Sequence, residues 1–162
     1  MATPARIEAL LLVGALAGGP LAAADRSTPQ LEVQGGGAVL TQAVRAARKI
    51  ALDRIGTVDG CRELFAGQGT DGARILLDSD YHTAQPGEAG GLCEKGASAF
   101  TGMTSKRTAV CRDSFLKLQP HTRAIVLLHE ALHVAGLGQY PHHAGGMTAR
   151  EIDEMVSRSC DL

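Results

Sequence analysis

The chain has no tryptophan, and only two tyrosines and three phenylalanines among its 162 residues. Its core must therefore be built from Leu, Ile, Val and Ala, a lean interior that gains from covalent bracing. Net charge is missing too, since 16 Lys and Arg against 17 Asp and Glu leave −1. That balance gives no electrostatic case for nucleic acid or an anionic membrane surface as partner. The apolar segment from Leu10 to Ala17 is too short and too broken by glycine to form a stable membrane anchor. No C-x-x-C pair occurs, which weakens the case for a cysteine metal site. No glycine group has the strand-then-helix setting of a phosphate loop, and no internal repeat is visible.

What is present begins with an export signal. Arg6 supplies a short basic region, Leu10 to Ala17 the apolar stretch, and Ala22-Ala23-Ala24 a small-residue cleavage site before Asp25. Residues 1–24 thus read as a signal peptide. No cysteine directly follows to carry a lipid, so a secreted or periplasmic protein is expected. Residues 25–37 are polar, contain proline and end in three glycines, and they read as a flexible leader. Residues 38–162 have the length of one domain with a single core. The four cysteines, Cys61, Cys93, Cys111 and Cys160, all fall after the signal. An even count in an exported protein favours two disulfides. Of the three pairings, Cys61–Cys93 with Cys111–Cys160 is the one preferred here.

Leu40, Val44, Ala47, Ala51 and Ile55 recur at helical spacing, with Thr41 available as a cap. Arg45, Arg48, Lys49 and Asp53 make the opposite, solvated face. Gly56 to Lys106 is rich in Gly, Ser, Thr and Asp; within it Arg74 to Asp78 reads as a strand, and Arg107 to Cys111 reads as another just after. Between these strands, Gln85 to Gly102 reads as a glycine-rich loop or irregular hairpin tied down by Cys93. Pro120 opens a helix that runs to about Ala135 and stops at Gly136. A last helix spans Thr148 to about Ser159, with Thr148 and Glu151 at capping-box spacing. Glu154 is placed to pair with Arg158 one turn on.

The helix opened by Pro120 carries the chemistry. His129-Glu130-Ala131-Leu132-His133 follows the apolar run Ala124 to Leu128, so the helix is apolar nearly all round and central. Residues four apart share a helix face, which sets both imidazoles side by side as zinc ligands, with Glu130 between them as a general base. As plain core residues, two imidazoles and a carboxylate would each carry a desolvation cost with no partner nearby in sequence. A metal removes that difficulty.

The stretch from His129 to Gly136 resembles the zincin metallopeptidases, and its H-E-x-x-H-x-x-G spacing is similar to the metzincin branch. Val110-Cys111 ahead of the helix also resembles the entry of the deuterolysin-like zincins. The likeness covers about the last third of the chain and is nearest to small exported bacterial metallopeptidases. It implies an α+β fold, a short sheet packed on a central HExxH helix with a C-terminal helix. It also implies Zn2+ as cofactor, a peptide or protein substrate, and hydrolysis with Glu130 as base. In the metzincin pattern the third ligand falls three residues after the glycine, which here is Gln139 and not histidine. His142 and His143 lie just beyond, and Glu151 or Glu154 would follow the thermolysin-like pattern. His142 with His129 and His133 is the preferred metal set, and the other donors stay open. Tyr140 is a candidate oxyanion donor, with Tyr81 and His82 weaker ones, and Met147 reads as a core filler. The competing expectation is a non-catalytic exported binding or structural domain with a degenerate zincin site.

Overall fold

The computed structural model describes residues 31–139 and 146–162. Residues 1–24, read above as a signal peptide, residues 25–30, Tyr140, His142 and His143 lie outside the described residues. The fold is mixed α+β, as expected. Four short strands, β1 (Val33–Gln34), β2 (Asp80–Thr83), β3 (Ala99–Thr101) and β4 (Arg107–Val110), form one sheet in the order β1-β2-β4-β3. β1 and β4 run parallel to β2 on either side of it, and β3 closes the sheet antiparallel to β4. Among the described residues there are six α-helices, α1 (Gly37–Thr57), α2 (Asp59–Ala66), α3 (Gly72–Asp78), α4 (Arg112–Lys117), α5 (Pro120–Val134) and α6 (Ala149–Cys160), of which α1 packs on β1 and α5 on β3.

α5 is the centre of the packing, touching α1, α3, α6 and β3. Its Ala124, Leu127, Leu128 and Leu132 are buried against the apolar stripe of α1, where Leu40, Val44, Ala47, Ala51 and Ile55 are buried at the predicted spacing. Among the described residues no helix is long and apolar enough to cross a membrane.

Several expectations are corrected. Leu31 and Val33 are buried, and Val33 pairs with Tyr81. Residues 31–37 are therefore not part of a flexible leader, because the apolar side chains at 31 and 33 have a core to fill. Thr41 is no cap; it sits inside α1, where its hydroxyl accepts the Val33 N–H at 3.3 Å. Arg74 to Asp78 belongs to α3, whose start is fixed by the Asp71 carboxylate accepting from the Ala73 and Arg74 amides. Ala99–Thr101, within the stretch read as a loop or hairpin, is β3. Glu154 pairs with Arg150, one turn before it.

The disulfides are Cys61–Cys160 and Cys93–Cys111, not the preferred pairing. The first joins α2 to the end of α6, and both its cysteines are fully buried. The second fastens the irregular segment between β2 and β3 to the end of β4. That segment folds back through a 3-10 turn at Glu88–Gly90, and Glu88 accepts from both the Gln85 amide and the His82 ring.

Candidate functional site

α5 delivers His129, Glu130 and His133 to the floor of a cleft of about 740 Å³, and all three are buried. One wall is β3 with the turn after it, including Phe100, Thr101 and Met103; the other includes Leu92 and Ala97 of the disulfide-tied segment. α5 ends in a Schellman arrangement: the Gly136 amide donates to the His133 carbonyl at 3.0 Å and the Leu137 amide to the Leu132 carbonyl at 2.9 Å. Gly136 takes a φ of 101°, a left-handed conformation that glycine adopts at no steric cost. The chain thereby reverses and brings Gln139 back over the helix, where Gln139 forms a parallel bridge with Met147. Met147 packs against the core, as expected of a filler.

The result is a triangle of donor atoms. The Nε2 atoms of His129 and His133 lie 3.1 Å apart, and the Gln139 Oε1 is 3.2 Å from the first and 2.9 Å from the second. The far side of each ring fixes its tautomer. His133 Nδ1 meets the Leu137 carbonyl at 2.8 Å, and a carbonyl can only accept, so Nδ1 carries the hydrogen. His129 Nδ1 meets an Asp153 carboxylate oxygen at 2.7 Å and donates in the same way. In the neutral imidazoles both Nε2 atoms are then bare lone pairs, and the amide oxygen adds more. Lone pairs gathered this closely repel one another unless a cation or a hydrogen-bond donor lies among them.

Two neutral imidazoles and a carbonyl oxygen suit a divalent metal such as zinc, although zinc takes histidine, cysteine or carboxylate more readily than an amide. Among the described residues no three His, Cys, Asp or Glu side chains converge on one point. The third converging donor is the amide.

Glu130 stands beside this triangle. Burial pushes its pKa up to about 7, against the His129 ring and the Thr101 hydroxyl and amide, which favour the charged form. Its Oε2 is fully buried with no hydrogen-bond partner. Burial lowers the His129 pKa, yet the Asp153 hydrogen bond and the charges of Glu130 and Asp153 outweigh it, and the net shift is upward.

Asp153 was not singled out in the sequence, since it lies on α6, 24 residues from its partner. Glu151 is spent on the capping box, accepting from the Thr148 amide and hydroxyl. Tyr81 is buried in the sheet and His82 pairs with Glu88; neither lines the cleft.

Among the described residues β3 pairs with β4 alone, on one side. The Cys111 amide donates to the Ser98 carbonyl, so by the alternation of an antiparallel ladder the amides and carbonyls of Ala99 and Thr101 point to the outer edge. That edge faces α5 and the cleft. Compared with known protein families, curated proteins and solved structures, the chain matches none.

Proposed function

We propose that this chain is an exported zinc-dependent peptidase. The observation that carries the reading is the triangle of bare donors from α5 and the turn after it, beside a buried carboxylate with one oxygen unpartnered. A buried unpaired carboxylate oxygen is costly for a fold and calls for an explanation such as a catalytic role. His129 and His133 would hold the metal, with their rings oriented by Asp153 and the Leu137 carbonyl. Zinc in such a site polarises a carbonyl and acidifies water.

The rest falls to the chain's own groups. Glu130, with a pKa near neutrality, accepts the proton of the attacking water and returns it to the leaving amine. The outward amide and carbonyl of Ala99 pair with the backbone of an extended substrate, so the peptide lies along β3. The low-polarity walls at Leu92, Phe100 and Val126 limit water around the reacting bond. Export is supported by the N-terminal signal pattern and by two disulfides.

The experiment is zinc stoichiometry with peptide cleavage, measured beside Glu130→Gln. The expected outcome is one zinc per chain in both proteins and a loss of cleavage of about a hundredfold or more in the variant. Protein that binds no zinc at all defeats the reading.

A second reading rests on the same distances. If the Gln139 amide is turned so that its NH2 group donates to both Nε2 atoms, the network closes without a metal. The domain would then be a non-catalytic binding module. Substitution at Gln139 separates the two.

A further inference from the structure

We propose that Gln139 is the third metal ligand, bound through Oε1, and that the site is therefore a neutral set of two imidazoles and one carboxamide. The inference rests on the zinc reading above and specifies what that reading leaves open.

The other described donors are accounted for. Glu151 caps α6, and Glu154 pairs with Arg150 on an exposed face. Asp153 addresses the Nδ1 of His129, the nitrogen that points away from the triangle. Gln139 alone among the described non-histidine side chains places an oxygen within 3.2 Å of both Nε2 atoms. Its position is built from both sides. The Gly136 reversal and the His133-to-Leu137 hydrogen bond set the approach of the chain, and the bridge to Met147 holds the Gln139 backbone next to the capped start of α6.

The ligand's neutrality has a chemical consequence. A carboxylate in its place would cancel one unit of the metal's charge, whereas an amide oxygen cancels none. The metal keeps its full charge toward substrate and water but is held less firmly, because zinc prefers imidazole, thiolate or carboxylate donors. Occupancy of this site therefore follows the zinc concentration around the protein more closely than a three-histidine site would.

The test is the zinc dissociation constant of the metal-stripped full chain, measured by chelator competition, with the visible spectrum of the cobalt-substituted protein as a second readout. Gln139→Ala is expected to weaken binding by at least about tenfold, the smaller end of what even outer-shell losses cost. Gln139→His and Gln139→Glu are expected to tighten it and to change the cobalt spectrum. A substitution that merely damaged the fold would weaken binding in all three. His142→Ala and His143→Ala are expected to leave the constant unchanged.

Zinc binding by Gln139→Ala equal to that of the unaltered chain, or its loss in His142→Ala, overturns this assignment while leaving a zinc protein. An unaltered chain that binds no zinc overturns the function as well.

Discussion

At the scale of single residues, the geometry of the candidate site depends on groups outside the donor triangle. Asp153 and the Leu137 carbonyl each take an Nδ1 hydrogen, and this turns the opposite nitrogens into donors. Asp153→Ala removes one of these supports. Zinc affinity is expected to fall by about ten- to hundredfold, read by the same chelator competition, while Asp153→Asn, which keeps an acceptor oxygen, loses less. His129, Glu130 and His133 were legible in the sequence because helical spacing alone sets them on one helix and the apolar run around them predicts burial. Gln139 is legible as a position only through the resemblance to the metzincin spacing, and the ligand preference of zinc points past it to His142. Asp153 was not legible. Its role comes from the packing of α6 against α5, and no local spacing reports a contact of that kind.

At the scale of elements, α1, α5, α6 and β4 follow their patterns closely, since each has enough periodic apolar positions or a clear start signal. α3 does not. Ile75-Leu76-Leu77 is a short apolar run that suits a strand as well as a buried helical turn, and the deciding signal is Asp71, whose carboxylate caps the first amides. The close approach of α2 to α6 yields a prediction at this scale. A Cβ on Gly60 would sit 2.9 Å from the Ser159 carbonyl oxygen, which is backbone and cannot swing aside. Gly60→Ala gains up to about 1 kcal/mol in helix propensity but incurs an overpacking cost of about 1–3 kcal/mol. The cost is expected to dominate, so denaturant unfolding should show a net loss of stability.

At the scale of the whole molecule, the disulfides divide the work unequally. Cys61–Cys160 closes a separation of 99 residues and Cys93–Cys111 one of 18. On chain-entropy grounds, removing the first with paired alanines costs about 4–5 kcal/mol and removing the second about 3 kcal/mol. Against a total stability of about 5–15 kcal/mol, the first loss removes about a third or more of what keeps the domain folded. Equilibrium denaturation of the two double variants checks the order. The pairing could not be read from sequence because it depends on α2 meeting α6 and on a folded-back segment meeting β4, and both contacts exist only in the assembled domain. β1 has a consequence of its own for how far the N-terminus can be shortened. Val33 and Gln34 add a parallel strand to β2, and Leu31 is buried just ahead of them. Removal of the chain through Gln34 would strip that strand from the sheet and leave β2 with a bare edge, so the fold itself limits how far the N-terminus can be trimmed.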